Sequence, residues 1–410
     1  MLTSPITRAE ISRSRLIANF TYLRSLLTGS KAAQSSTEAA AASELLAVVK
    51  ANAYGHGLSP CAPWLVQAGA KWLGITSVEE GIVLRRLCPK AHIMVMRGLM
   101  HGEAEALIDA QLIPTVWEPQ QLAWLADIAR KRDLALGSVP FHLEIDSGMS
   151  RQGVTPASLA TLLDTLRHLR WLRLSGVYTH FASADMLDAE QNQFQRAAFQ
   201  SAVDQIFTAG FHPQWIHAGN SSSLLAAHHD LHNVIPTKPG AKTLVRPGIA
   251  LYGYAPEFSG SESAAAEKAR AHLQPVLTWK TAIASTRSVA PGTAIGYNAT
   301  FVAQADMRLA LLPVGYADGL NRKLSSTNSA PGGQVLIRGT RAPIVGRVSM
   351  DLTVVDITQI PHAAADDEVV ILGEQGVQRI TADDHARWAG TIPYEILCAI
   401  AARVPRITSE

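Results

Sequence analysis

The stretch LLAVVKANAYGHG, Leu45 to Gly57, decides the fold. Its opening residues, Leu45 to Val49, form a short apolar run without alternation, which reads as a strand buried on both faces. The run stops on Lys50, and Asn, Tyr, Gly and His follow at once. A lysine in that place either snorkels to the surface or is a chemical group held at the mouth of a pocket. The rest of the sequence separates these two readings.

Strand-like runs recur at Lys71–Ser77, Ala91–Arg97, Ile113–Trp117, Val139–Asp146, Leu174–His180, Trp215–Ala218 and Val245–Tyr252. Helical patterns lie between them, among them Pro119–Arg132, Pro156–Leu169 and Ala189–Ala209. Strand followed by helix at this spacing calls for a parallel sheet. About eight such units in ~250 residues is the arithmetic of a TIM-type (β/α)8 barrel. An open doubly wound sheet is the alternative, although no glycine fingerprint for a dinucleotide accompanies it.

After Tyr254 the character changes. Phe258–Ala269, FSGSESAAAEKA, reads as a linker or surface loop. Beyond it, strand-like segments at Val276–Val289, Arg308–Pro313, Gln334–Arg338, Ala342–Ile357 and Glu368–Leu372 follow without long helices, and IRGTR reads as a hairpin turn. Short helices are expected at Ala382–Trp388 and Tyr394–Ala402. The fold class is therefore α/β: a barrel over residues 10–258, then a mostly β domain over 270–410, joined by residues 1–9. The low-complexity tract Thr28–Ser43 is expected to be a mobile insert before the first barrel strand.

Composition narrows the function. The 410 residues carry 36 basic and 34 acidic side chains, a net charge of +2, which asks for neither nucleic acid nor an anionic membrane. The scattered cysteines Cys61, Cys88 and Cys398 give no disulfide framework and no zinc motif, so no metal is expected. No apolar run reaches transmembrane length and the opening residues do not read as a signal peptide. A cytoplasmic location is the expectation.

In a parallel barrel the carboxyl ends of the strands form the active face. Lys50, Glu144, Asp146, His180, His217 and Arg246 all fall at or near such ends. Two loops look built for an anion. HAGNSSSL, His217–Leu224, runs from a strand end through glycine and hydroxyls into a helix start, where backbone N–H groups attract phosphate. VRPGIALYG, Val245–Gly253, offers Gly248 for close backbone approach. These are the last two strands, where barrels often place a phosphate. A lysine on the first strand with a phosphate cradle on the last two suggests pyridoxal phosphate, whose aldehyde takes a lysine.

AVVKANAYGHG resembles the cofactor-attachment signature of the alanine racemase family. The likeness continues in order through IDSGMSRQG, YTHFASAD, IHAGNSSSL, VRPGIALYG, GYNATF, LPVGYADG, GRVSMD and PYEILC, spanning Val48 to Cys398. It implies a head-to-tail homodimer that racemises alanine with pyridoxal 5'-phosphate and supplies D-alanine for peptidoglycan. By the same resemblance Lys50 is the Schiff-base lysine and one base, and Tyr297 is the second base, supplied by the partner chain. Tyr54, Asn220, Ser221, Gly248, Ile249 and Tyr394 match cofactor contacts, and His180 matches an imidazole beside the ring. Arg246 faces the pyridine nitrogen and His217 is tied to it. Arg151 and Met350 match the substrate carboxylate site, while Tyr316 and Asp351 match supporting positions.

The residue chemistry agrees with that assignment. Racemisation removes a proton from one face of a carbon and returns one to the other, which calls for two bases. Arg246 carries donors only, so it would leave the ring nitrogen unprotonated and restrain the electron sink. Two positions depart from the family pattern. Ser349 stands where cysteine is common, and Glu144 stands where many members carry a carbamylated lysine. A carboxylate can accept a bidentate arginine much as a carbamate can, so the expectation is that Glu144 pairs directly with Arg151. A broad or serine-preferring racemase and a non-catalytic cofactor carrier are the other readings. The β domain with Tyr297 and Met350 argues against the carrier. A decarboxylase of the same fold would be expected to set an acid, not Arg246, against the ring nitrogen.

Overall fold

The computed structural model describes residues 5–28, 43–226, 238, 240–260 and 263–410. In chain order its strands begin with β1 (Arg8–Ser12), β2 (Ser43–Val48), β3 (Trp72–Ile75), β4 (His92–Val95) and β5 (Ile113–Val116). They continue with β6 (Val139–Glu144), β7 (Leu172–Tyr178), β8 (Trp215–His217), β9 (Lys242–Val245), β10 (Leu277–Ala282) and β11 (Ser285–Val289). The remainder are β12 (Ala294–Ile295), β13 (Phe301–Val302), β14 (Met307–Leu312), β15 (Gln334–Ile337) and β16 (Thr340–Pro343). The series closes with β17 (Thr353–Asp356), β18 (Glu368–Gln375), β19 (Gln378–Ile380) and β20 (Arg406–Ser409).

The chain divides into two compact units. One comprises the described residues of Leu16–Ala53 and Leu58–Gln274, and in it β2 to β9 close into an eight-stranded parallel barrel. The seam is β2 on β9, with Ser43 opposite Thr243 and Leu45 opposite Val245. The strands are apolar along both faces, as sheets covered on both sides require: Leu46, Leu73, Ile93, Phe141, Ile216 and Leu244 are fully buried. Local signals set the helices between them. Ser77 opens Val78–Leu87 by accepting from the Glu80 amide at 3.1 Å, with acids in the first turn and arginines in the last. Thr155 caps Pro156–Arg167 with proline at its first position.

The other unit comprises the described residues up to Arg15, Tyr54–Gly57 and Pro275–Glu410. Its main sheet runs β16-β15-β18-β10-β1-β20, with β19 on β18, and a second sheet runs β11-β14-β17. The IRGTR hairpin joins β15 to β16. Arg338 and Gly339 both take positive φ (50° and 73°), the primed turn that matches strand twist. Thr381 and Asp384 form a capping box on Ala382–Ala389, which Gly390 ends at φ 65°.

Several expected boundaries are corrected. The last barrel strand stops at Val245, because Pro247 has no N–H to donate and the chain turns into a 3-10 helix at Ile249–Tyr252. Val276–Val289 is two strands, and so is Ala342–Ile357. Part of the expected linker, from Ser263, is a helix to Arg270, as its alanine run favours. The expected mobile insert falls mostly outside the described residues. Thr28 itself ends a helix, and Ser43 begins β2.

Candidate active site

At the carboxyl end of β2 the chain does not enter an ordinary loop. Ala51, Asn52 and Ala53 all lie near φ 55°, ψ 50°, and Tyr54 has φ 51°. Such a left-handed turn costs L-residues roughly 1–2 kcal/mol each. It persists because it is pinned. Ala53 N donates to Val49 O at 2.9 Å, Asn52 N to Glu80 Oε1 at 2.9 Å, and Leu58 N to Asn52 Oδ1 at 2.7 Å. Lys50 heads this turn, and Val48 N donates to Pro247 O at 3.0 Å, which sets the lysine beside the last strand's end.

Arg246 is buried at that end. Its Nη2 donates to Thr179 O at 2.7 Å and Ala218 O at 3.0 Å, and its Nη1 donates to His217 Nδ1 at 2.8 Å. Arginine has no acceptor, so His217 must accept at Nδ1 and keep its proton on Nε2. That Nε2 lies 3.0 Å from His142 Nδ1, which must accept in turn. The proton of His142 is thereby driven to its own Nε2, a buried atom with no hydrogen-bond partner. Tyr178 stacks on His217 with centroids 4.7 Å apart and lies under the Arg246 guanidinium at 4.9 Å.

Charge follows burial here. Burial first, and then the neighbouring cation Arg246, brings His142 and His180 down to about 3 and holds His217 well below the usual imidazole range. Burial lowers Arg246 itself to about 10, which leaves it protonated at neutral pH. In the other unit, burial brings His385 down to about 4. The unfolded imidazoles take protons near 6.5, the folded ones only at much lower pH. In between, the unfolded chain binds more protons. Unfolding free energy should therefore fall as pH drops from 6.5 toward 4, by about 1.4 kcal/mol per pH unit for each such histidine. Glu144, raised by burial, opposes this as a single group. Denaturant titrations from pH 4.5 to 7.5 check the slope, and a flat profile would contradict it.

The expected pair between Glu144 and Arg151 is not formed. Both line one small crevice with Asp146, Gln152 and His180. However, the buried Glu144 Oε2 accepts from Tyr178 Oη at 2.6 Å and from Gln152 Nε2 at 2.5 Å. Arg151 is exposed and makes no ion pair among the described residues. Its loop is held in other ways. Asp146 Oδ1 accepts from the amides of Gly148, Met149 and Ser150 at 3.0, 3.1 and 3.0 Å, and Gln152 Nε2 also donates to Met96 O. Sequence spacing placed Glu144 near the loop but could not report which neighbour its side chain meets.

The two loops expected to hold an anion meet next to Arg246. Asn220 and Ser223 cap the short helix Ser221–Leu225 reciprocally, and Asn220 bridges Arg246. The Ser221 hydroxyl accepts from Gly248 N at 2.9 Å and Ala250 N at 3.4 Å, which ties the two loops together.

Within the second unit, Tyr54 and Tyr394 stand 6.1 Å apart, and burial pushes the Tyr54 phenol up. Gly55 is required there, since a Cβ would lie 2.1 Å from Leu397 O at φ +80°. Tyr316 N donates to Ser349 O and Ala317 N to Met350 O, which clasps the two loops. Arg403 bridges Asp318 and Asp351 at 2.7 and 2.5 Å. This scaffold leaves Tyr316 and Met350 exposed, as Tyr297 is (66% of its surface). Among the described residues no three His, Cys, Asp or Glu side chains cluster as a metal site would require. His142, Tyr178, Gln152, Asn52 and Arg403 escaped the sequence reading, because their partners lie on distant segments.

A closed parallel barrel with a lysine at its first strand end and a buried arginine at its last, followed in sequence by a β-rich unit, defines a class: two-domain proteins of a (β/α)8 barrel and a mostly β domain. The family descriptions "Alanine racemase, N-terminal domain" and "Alanine racemase, C-terminal domain" match residues 30–256 and 276–408. The chain belongs to the alanine racemase family, whose members are isomerases. It is 38% identical over 405 residues to an alanine racemase of Halothermothrix orenii, covering 99% of this chain and 97% of that one. The alanine racemase of Streptomyces lavendulae superposes with a TM-score of 0.86 at 31% identity, over 100% of this chain and 98% of that one. That of Bartonella henselae, at 26% identity and a TM-score of 0.81 over 99% and 100% of the two chains, carries covalently bound pyridoxal phosphate.

Proposed function

We propose that this chain interconverts L- and D-alanine and so supplies D-alanine for peptidoglycan. The observation that carries the reading is the Lys50 turn set against the Arg246–His217–His142 chain at one barrel mouth. The donor set fits pyridoxal phosphate: an amine at Lys50, a guanidinium at Arg246 that cannot take up a ring proton, and the hydroxyl and amides of Ser221, Gly248 and Ile249 for a phosphate. When bound, that group supplies an electron sink for the charge left when the α-proton departs. The protein's own part is to bind, orient and move protons. Lys50 holds the proton on one face, and Tyr297 serves the other. Arg151 and Met350 hold the substrate carboxylate, and neutral His180 flanks the ring. A chiral assay across L-alanine, L-serine, L-lysine and L-arginine tests the substrate. A rate on serine exceeding that on alanine would replace the reading with a serine-preferring racemase.

Glu144 positions the substrate arginine through Gln152 and the loop they share, not by touching it. Glu144→Ala removes the carboxylate that Tyr178 Oη and Gln152 Nε2 share, leaving Thr115 Oγ1 and Met96 O as their other partners, and so loosens the loop at about 0.5–1.5 kcal/mol for each lost bond. It should raise KM for alanine several-fold more than it lowers kcat. Glu144→Gln keeps an acceptor oxygen and should restore most of the loss, and neither variant should respond to bicarbonate. Equal KM values for the wild type and Glu144→Ala would remove Glu144 from this role.

Two chains in a head-to-tail dimer would let Tyr297 of one serve Lys50 of the other. The exposure of Tyr297, Tyr316 and Met350 on one chain supports this reading. Mixing inactive Lys50→Ala and Tyr297→Phe chains should then restore about a quarter of wild-type activity, because half the dimers are mixed and each holds one intact site of two. Mixtures that exchange subunits yet stay inactive would refute shared sites.

A further inference from the structure

We propose that Asn52 and Glu80 are positioning residues that aim Lys50 by locking the left-handed turn behind it. For its effect on chemistry this rests on Lys50 being the cofactor lysine. The clamp itself rests on geometry alone.

Ser77 and Glu80 spell the capping box of the Val78–Leu87 helix, in which the glutamate would reach back to the serine amide. Only half of that box forms. Ser77 Oγ accepts from Glu80 N, but the Glu80 carboxylate turns away from the cap, and its Oε1 accepts from Asn52 N. A stabilising cap contact has been exchanged for a hold on the residue two past Lys50. Asn52 completes the clamp from the other side, since its Oδ1 accepts from Leu58 N and closes the loop from 52 to 58.

The residue types suit the strain. Asn is the side chain that best tolerates left-handed backbone after glycine, and it stands at the centre of the turn. Its neighbours Ala51 and Ala53 carry the smallest side chains that still have a Cβ. With both side-chain bonds gone, the backbone is free to fall into the right-handed region, which would redirect the chain leaving β2 and with it the Lys50 amine. Backbone strain kept in place by redundant bonds is a recurring feature of sites that need one fixed geometry.

The test compares Glu80→Ala, Glu80→Gln, Asn52→Ala, Asn52→Asp and Asn52→Gly in the full-length chain. Hydrogen exchange over residues 50–58, with pyridoxal phosphate removed, reads the turn without reference to what Lys50 does. Glu80→Ala and Asn52→Ala should each speed exchange there roughly tenfold. They should weaken pyridoxal phosphate binding and lower kcat by about ten- to a hundredfold, with little change in KM for alanine. Glu80→Gln and Asn52→Asp each keep an acceptor oxygen and should restore all three readouts. Asn52→Gly keeps the φ preference but loses the acceptor, so it should exchange like Asn52→Ala. Unchanged exchange in the alanine variants overturns the clamp. Faster exchange with unaltered cofactor affinity and kcat reduces it to a structural prop and equally overturns the proposal. If Lys50 is not the cofactor lysine, borohydride labels another lysine while the exchange pattern stands.

Discussion

Lys50→Ala should lower racemisation by about a thousandfold or more. On the proposed assignment the substitution removes a base and a covalent tether at once, and a positioned acid–base group alone contributes about 10²–10⁴-fold. The chain should stay folded. Lys50 is only partly buried, and the bonds that pin its turn come from Ala53, Asn52 and Glu80. Circular dichroism should therefore be unchanged while activity collapses. Borohydride reduction of the wild-type holoenzyme followed by peptide mapping should label Lys50. A label on any other lysine overturns the assignment, whatever the alanine variant does.

Gly176→Ala should damage both stability and activity. Gly176 lies opposite His142 across β6 and β7, where the register shifts between Phe141 and His142. A Cβ at Gly176 would sit 2.5 Å from His142 Nε2 and Cε1 and 2.6 Å from Nδ1. The ring has little room to yield. Trp72 packs against it with centroids 5.6 Å apart, and its Nδ1 holds the proton of His217. Overpacking costs about 1–3 kcal/mol, and displacing the ring orphans a buried donor at about 1–3 kcal/mol more. Thermal unfolding should drop by roughly 4–15 °C at a few degrees per kcal/mol. Activity should fall as well, because His217 then no longer holds Arg246 in one orientation. The double variant Gly176→Ala/His142→Ala removes the clash and should be more stable than additivity predicts. Wild-type unfolding for Gly176→Ala would mean that the ring has freedom the packing denies it.

The barrel was legible because its strands are buried on both faces, so runs such as Leu45–Val49 and Ile113–Val116 stand out without reference to distant residues. Rim positions followed from the strand ends. What hid was whatever depends on a partner far away in sequence. The strand β1 is five residues long, and only β10 and β20 make it a strand. Glu144 and Arg151 are near in sequence, but Tyr178 reaches the carboxylate from the next strand and Gln152 from the far end of the loop. Val245–Tyr252 looked like one strand because Ile249 to Tyr252 is apolar, although those residues are buried as a 3-10 turn. The left-handed backbone after Lys50 gave one faint sign, an asparagine between two alanines. The sequence does not show that Glu80 would abandon its own helix cap to hold it.

The pairing of β1 with β20 has a bearing on how the protein is made. β1 leaves the ribosome long before its parallel neighbour β20, since the whole barrel and most of the second unit are translated between them. Until then one edge of β1 has no strand to meet, and an unpaired edge invites the wrong one. The sheet that holds both strands is thus completed only once β20 has emerged. A ribosome stalled anywhere before Arg406 would display an open edge to the cell's chaperones and proteases.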